Sequence, residues 1–548
     1  MRKFILIGLS AAVACAVIRG ADWPSQSGNP QRDGWAKTEK AFTKENAGKI
    51  EFLYKYKADN VARGLNATGS PVVNGMLITY LGFKEILTFG GSSDNVFSID
   101  ADLNRIFWKT HFEYKADKPQ ATPTAVCPGG MTAAIAMPGT SAGPQGRGGG
   151  GRGPAGRGPG APGAGRGPVA PPQPPPTPPL FAAGNFGRAA NFAAISGDGR
   201  LNALNSSTGT NRTPGIPFVP ANAKPSSVNV NDGVIYAATQ DGCGGNANGI
   251  YALDLSTDDH KLSTLELNGA GAAGSAGTAI GTDGTVFAQI PDGSGDMAGP
   301  YNDTVIALSK DLKIKDYFTP AGAPRPVTKG VPSTGVTPAV FAWKGSDVVI
   351  AGARDGRVYL LDSKSLGGAD HHTPLAMSDP IATPEAKFSG TGISGAFATS
   401  EEPDGTRWIF ASVWGAPNGS IVALKVSEQG GKPVLTKAWS SRDMVSPAPV
   451  VTANGLVFAL SSGEASRNAK ENGTPYTVAE KVKMSAHAIL YVLDGATGKD
   501  LYNSGTIATT FAHGTGLAIA NRRIYFTTHD NAVYSLGFLV EQPQLTGK

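Results

Sequence analysis

The chain is short of cysteine, of charge and of long apolar runs. Only 3 of its 548 residues are cysteine, which excludes a disulfide-dense scaffold and a multi-cysteine zinc framework. Charged residues make up 17%, and no stretch reads as a long amphipathic helix, which excludes a coiled coil or a helical bundle. The longest apolar run, from Phe4 to Ile18, falls short of the ~20 residues a membrane helix needs, so no transmembrane span is expected. That run follows Met1-Arg2-Lys3 and precedes the small residues Gly20-Ala21. A basic start, an apolar middle and a small-residue exit read as a secretory signal peptide over residues 1–21, cut near Ala21.

The segment Ala12-Val13-Ala14-Cys15 offers an alternative, a bacterial lipoprotein anchored through Cys15. Either way the expected location is periplasmic or secreted. Without the leader, Cys127 and Cys243 remain, to be joined as one disulfide or kept as two buried thiols. The formal charge of +5 is more than accounted for by Arg2, Lys3 and Arg19 of the leader and Arg147, Arg152, Arg157 and Arg166 of a tract at 138–179. The rest of the chain is not basic, so nucleic acid is not an expected partner. The tract contains glycine, proline and arginine and no acidic residue, and it cannot build a packed core. It is expected to be a disordered insertion in blade two, entering before that blade's second strand.

What the chain has in abundance is turn residues: 73 glycines and 40 prolines. Eight segments at near-even spacing begin near Ser70, Thr122, Ser226, Gly277, Thr337, Ser394, Ser446 and Gly514. Each opens on small residues, continues in apolar strands and often ends in a Leu-Asp or Ile-Asp pair. One copy reads Thr337-Pro338-Ala339-Val340, Asp347-Val348-Val349-Ile350, Arg354-Asp355-Gly356-Arg357, Val358-Tyr359-Leu360-Leu361-Asp362. β-branched and aromatic residues suit strands, and Asp-Gly and Thr-Gly pairs suit the tight turns between them. Four such strands cannot bury both faces alone, but sheets arranged radially cover one another. The expected fold is therefore all-β, a single eight-bladed β-propeller of four-stranded antiparallel blades over residues 22–548. The last repeat lacks a fourth strand and the N-terminus has a spare one, Ile50 to Tyr56, which is expected to close the ring.

Ala252-Leu253-Asp254, Leu493-Asp494-Gly495-Ala496-Thr497-Gly498-Lys499 and Ile99-Asp100 with Trp108 resemble the pyrroloquinoline quinone (PQQ)-type propeller repeat. Asp22-Trp23-Pro24-Ser25 and Thr43-Lys44-Glu45-Asn46-Ala47-Gly48-Lys49 are similar to the opening segment of quinoprotein propellers. That family includes PQQ-dependent alcohol dehydrogenases and non-catalytic propellers, and a shared fold does not choose between them. The dehydrogenases imply a bound quinone, a calcium ion on oxygen ligands, an aspartate base and, frequently, a pair of adjacent cysteines. No two cysteines are adjacent here, and no aspartate, glutamate or asparagine can be carried over.

Ligand-binding residues are therefore expected at the axial mouth, where the loops into the inner strands meet those between second and third strands. Trp414, Arg354 and His513 are expected there, an aromatic and two cations suited to an anionic or planar ligand. Asp292, Asp296 and Asp303 lack the spacing of a calcium loop. His371-His372 lacks a third ligand for zinc, so no metal is assigned. The expectation is a monomeric binding scaffold, engaging an envelope protein or small ligand at the mouth and holding no cofactor. The alternative is a dehydrogenase using PQQ with calcium to oxidise an alcohol or sugar.

Overall fold

The computed structural model describes residues 21–139, 180–181, 190–291, 303–322, 335–383 and 391–539, apart from 80–81, 257, 268, 270 and 416–417. Residues 1–20 of the leader, most of the tract, and Asp292 and Asp296 lie outside the described residues.

Eight small antiparallel sheets follow one another along the chain. Blade 1 is representative: Val72–Thr79, Gly82–Gly91, Asn95–Asp100 and Arg105–His111 pair in sequence order. The same meander recurs in blades 3 to 7, from Asn229–Asn231 to Asp500–Asn503. The middle strands are buried on both faces, as in Asn95–Asp100 and Leu456–Ser461, because neighbouring sheets cover them. One short helix, Val478–Met484, interrupts blade 7, and none of the described helices is long and apolar enough to cross a membrane.

Blade 2 departs from the expected pattern. Its strands are Asn191–Ile195, Arg200–Asn205 and Ile216–Pro217, and its inner position is held by an isolated bridge from Ala136 to Ala193. Thr122 therefore does not start an inner strand. Its neighbourhood is a loop pinned by Arg63, which donates to the carbonyls of Ala121 and Pro128, and by Asn222, which bonds both Ala121 and Pro119.

Two tryptophans show why the Thr-Gly turns recur. Trp108, on the outer strand of blade 1, donates its Nε1–H to Ser206 O of blade 2 at 2.9 Å. Trp439 of blade 6 does the same to Gly495 O of blade 7 at 3.0 Å. A Cβ on Gly209 or Gly498 would lie within 2.5 or 2.6 Å of the indole, so only glycine lets each ring settle on the next blade's turn.

The ring closes as the sequence implied. Glu51–Lys57 pairs antiparallel with Ala532–Gly537, completing blade 8 from both chain ends. A second device was not legible in the sequence: residues 21–39 thread the propeller axis and bond to every blade. Trp23 exchanges two backbone bonds with Val73 of blade 1, and Pro24 O accepts from Met137 of blade 2. The carbonyls of Pro30, Gln31, Asp33 and Gly34 accept, in order, from Ile280, Val340, Thr399 and Thr452 of blades 4 to 7. Ala21 N–H and Glu39 reach Asn521 and Arg522 of blade 8. Gly34 has φ +62°, and a Cβ there would lie 2.7 Å from Ala398 Cβ.

Arg32 is the centre of this thread. It is fully buried, and its guanidinium donates to Thr278 O, Gln26 O, Val228 O and Ser25 Oγ. The bond to Val228 O, together with Asn229 Nδ2 donating to Pro30 O at 3.0 Å, ties the thread to blade 3. Burial pushes the guanidinium down to about 9, so it stays charged at neutral pH.

Between the last and first blades lies a buried polar joint. Glu85 of blade 1 accepts from Tyr525 Oη at 2.6 Å and Asn521 Nδ2 at 3.2 Å, with Arg523 Nη1 at 3.4 Å. Burial raises the Glu85 carboxyl to about 7, with Arg523 opposing the shift.

Two outcomes follow. Arg32→Met leaves buried carbonyls without donors and should lower unfolding free energy by roughly 3–5 kcal/mol in urea melts. A loss under about 1 kcal/mol would show that the thread does not depend on this residue. Between about pH 4.5 and 7 folded Glu85 keeps a proton that the unfolded chain releases, so stability should fall as pH rises through that window. Glu85→Gln should flatten this slope, measured as melting temperature against pH; an unchanged slope would assign it elsewhere.

Candidate functional site

One end of the axis opens into a cavity of about 260 Å³. All eight blades reach it through the segments leading into their inner strands: Gly69, Thr132, Ser226, Ser275, Gly335, Gly395, Pro447 and Thr515 each line the wall. Residues this small are what the radial geometry demands, because eight loops converge on one narrow mouth. The axial thread contributes Gln26 to the wall.

A buried charge centre lies in the wall. Glu464 Oε2 accepts from His513 Nδ1 at 2.8 Å, and Lys481 Nζ lies 3.4 Å from Oε1. Burial alone would raise the Glu464 carboxyl, but His513 and Lys481 outweigh it and hold the carboxyl at about 2. The lysine is itself buried and also donates to Ala465 O, Arg467 O and Asn468 Oδ1. Glu464, Asn468, Tyr476 and Lys481 all belong to one insertion between the second and third strands of blade 7, Leu456–Ser461 and Ile489–Asp494. The insertion is ordered by its helix, which begins with a capping box: Thr477 accepts from Glu480 N–H while Glu480 accepts from Thr477 N–H.

The structure brings together two of the three residues expected at the mouth. Trp414 ends the strand Arg407–Trp414, donates its Nε1–H to Pro447 O at 2.9 Å, and lines the cavity with His513. Arg354 does not join them. It lies in a separate crevice with Gln289 and Asp303, where its backbone N–H meets the Asp303 carboxylate at 3.1 Å. That crevice adjoins the shared cavity, with Gly335 lining both, but Arg354 itself does not line the cavity that Trp414 and His513 share.

Cys127 and Cys243 are bonded, with sulfurs 2.06 Å apart. Ala125 and Val126, just before Cys127, line the cavity, so the bridge straps the loop after blade 1 to blade 3 at the rim. His371 and His372 are elsewhere: His371 stacks on Tyr317 and meets Asp316 at 3.0 Å, while His372 Nδ1 faces Thr319 O. Among the described residues no cluster of three or more His, Cys, Asp or Glu is placed to hold a metal ion.

No protein-family model matches the chain, and no curated protein matches it in sequence. Solved structures do match in shape. A quinohemoprotein alcohol dehydrogenase from Comamonas testosteroni superposes with a TM-score of 0.55 at 13% identity, over 96% of this chain and 83% of that one. The quinohemoprotein alcohol dehydrogenase ADHIIG from Pseudomonas putida HK5 gives 0.55 at 12% identity, over 96% and 82%. A europium-containing methanol dehydrogenase gives 0.54 at 10% identity, over 94% and 98%. The fold is that of a PQQ-type propeller. At this identity the likeness establishes architecture alone.

Within this propeller, the Glu464–His513–Lys481 centre went unnoticed in the sequence because its members are scattered over residues 464–513. Two signals pointed to it. The interval from Ser446 to Gly514 is the longest between repeats apart from the one holding the tract, and Thr477 to Glu480 has the spacing of a capping box. Both mark an insertion on the side of the blade that faces the mouth.

Glu464→Gln should leave Lys481 buried beside an uncharged partner and lower stability at pH 7 by roughly 3–5 kcal/mol. The stability that Glu464 contributes is present above about pH 4.5 and lost as pH falls toward 2, so the variant should also lose that acid-side slope. Urea melts at pH 7 and pH 3 test both; equal losses at the two pH values would refute the ion pair's role.

Proposed function

We propose that this PQQ-type propeller is an exported binding scaffold of the cell envelope, engaging a small ligand or a protein at its axial mouth without redox chemistry. One observation carries the reading: the only carboxylate among the described lining residues, Glu464, is already committed to His513 and Lys481 inside the wall. Calcium takes six to eight oxygen ligands, usually several of them carboxylates, and a buried ammonium 3.4 Å from this carboxylate opposes a second cation. The other lining lysine, Lys224, is paired with Asp241 at 2.8 Å. A quinone that is bound through a metal therefore does not find its metal set among these groups. The expected alternative, a PQQ-dependent dehydrogenase oxidising an alcohol or sugar, draws its support from the likeness in fold.

Export rests on the leader-like residues 1–21, and the bonded Cys127–Cys243 pair suits an oxidising compartment. Titration of the purified protein with PQQ and calcium, followed by absorbance and by reduction of an artificial acceptor with alcohols and sugars, tests the reading. No saturable binding and no turnover are expected. Micromolar calcium-dependent binding, or turnover lost in Trp414→Ala, would replace the scaffold with the dehydrogenase.

A further inference from the structure

The end of the ring opposite the mouth carries one protruding element. Blade 8 turns back at Asn521 and Arg522, between Ala518–Ala520 and Arg523–Thr528, and Asn521 Nδ2 bonds Gly75 O at 3.1 Å. Blade 8 therefore ends level with Gly75. Blade 1 does not: its first hairpin runs on to Thr79 and Gly82, about 13 Å further at ~3.3 Å per residue. Its register puts Ile78, Phe83 and Ile106 on the same face as Glu85, Leu87 and Ile99, the face turned to blade 8. At Glu85 that face is covered. Beyond it Ile78 is 49% exposed, Phe83 72% and Ile106 45%. Leu103, in the turn between Asn95–Asp100 and Arg105–His111, adds a fourth apolar side chain at 55%. Exposed apolar residues scattered singly are ordinary, but a cluster on one projecting end marks a contact with a protein or a membrane.

The axial thread starts at the same place. Trp23 bridges Val73 antiparallel, Gly75 N–H donates to Asp22 Oδ1, and Ala21 N–H donates to Asn521 Oδ1 at 2.7 Å. The chain thus enters the fold at Ala21 alongside the inner strand of blade 1, from the side of the projecting hairpin. Ala21 is part of the seam, so a leader cut after it would strip a residue that Asn521 holds, and Arg19 breaks the small-residue pattern before that cut. Ala12-Val13-Ala14 supplies the small-residue exit in the expected form, directly before Cys15.

From this we infer that the mature chain begins at a lipidated Cys15 and that the propeller sits on a lipid bilayer with this end down, Ile78 and Phe83 dipping into the interface and the mouth facing away. The inference rests on the export part of the scaffold reading and adds the surface and its orientation. Lipidation takes a phosphoglyceride as co-substrate: the Cys15 sulfur bonds the glycerol carbon, that carbon's bond to the phosphate oxygen breaks, and the thiol proton leaves with the phosphate ester. Water then hydrolyses the Ala14–Cys15 peptide bond. The six residues from Cys15 to Ala21 span at most ~20 Å, enough to pass a hairpin projecting about 13 Å but too short to let the mouth turn to the membrane. A single acyl chain holds a protein only marginally, and apolar side chains entering the interface supply the second contact that makes the attachment stable.

The full-length chain is produced in a bacterial host, and mass spectrometry of its N-terminus should find Cys15 first, carrying a diacylglyceryl group. Cys15→Ala keeps the small-residue exit but removes the thiol, and should move the protein from the membrane to the soluble fraction. Two sites of equal exposure then report orientation: Phe83 on the hairpin, and Val61, also 72% exposed, beside Ser93 at the mouth end. Phe83→Cys and Val61→Cys, each labelled with an environment-sensitive dye, are mixed with vesicles of phosphatidylethanolamine and phosphatidylglycerol. The dye at 83 should shift to the blue and the dye at 61 should not. In the unlipidated Cys15→Ala protein, Ile78→Ser with Phe83→Ser, checked for an unchanged melt, should weaken vesicle partitioning about tenfold. A mature chain starting at or after Ala21, a silent dye at 83, or equal shifts at 83 and 61 would each overturn the inference. A dye at 83 that responds to envelope proteins but not to vesicles would overturn it in favour of a protein partner. A chain kept in the cytoplasm with its leader would overturn the exported-scaffold reading as well, whereas an exported chain without lipid would remove only the membrane contact.

Discussion

Everything in this molecule depends on how the inner edges of eight sheets are satisfied around one axis. A ring of eight blades leaves an inner strand from each facing the centre, with backbone N–H and C=O groups that need partners. Residues 21–39 supply them, reaching every blade through backbone bonds, a few side chains and the buried guanidinium of Arg32. The buried guanidinium is tolerable there because carbonyl dipoles from three separate parts of the chain converge on it. The same stretch continues into Glu51–Lys57, the strand that completes blade 8. Thread and closing strand thus hold residues 21–57 against residues 521–537, and the ring cannot close until both segments are present. Contacts this distant in sequence are slow to form, since loop-closure entropy is lost before they reward it.

Around that axis the blades are held by repeated small devices. The strands are apolar on both faces because each sheet is a lid for its neighbour. Indole rings reach across the gap to the next blade's turn, and glycine there is required by the closeness of the ring. The joint between blades 8 and 1 is different in kind. It carries the buried Glu85–Tyr525–Arg523 network, so the seam where the ring closes is polar and directional, which favours one register over others.

The mouth inherits its character from both facts. Eight converging loops force small side chains on the wall, and the insertion in blade 7 brings the larger functional ones. That insertion encloses its own charges: Lys481 and Glu464 pair inside the wall, and the second carboxylate oxygen of Glu464 bonds His513 Nδ1. The disulfide at the rim, close to Val126, ties the loop covering blade 2 to blade 3 and limits how far that wall can open.

The blades were legible in the sequence, because strand alternation, Asp-Gly and Thr-Gly turns and the tryptophans are local and repeat at near-even spacing. The spare strand at Ile50 to Tyr56 was legible for the same reason: a missing fourth strand at one end has a match at the other. Thr122 misled because a Thr-Pro pair marks a turn and an inner strand equally well, and only the packing of Arg63 and Asn222 decides which. Trp414 and His513 were placed by mapping the repeat onto a ring, but Arg354 lines the adjoining crevice instead, since which side chains share a cavity is set by how neighbouring blades pack. The axial thread, the pairing of Cys127 with Cys243, and the Glu464–His513–Lys481 centre were decided only by tertiary structure. Each joins residues far apart in the chain, and radial convergence, which has no local sequence signature, is what brings them together.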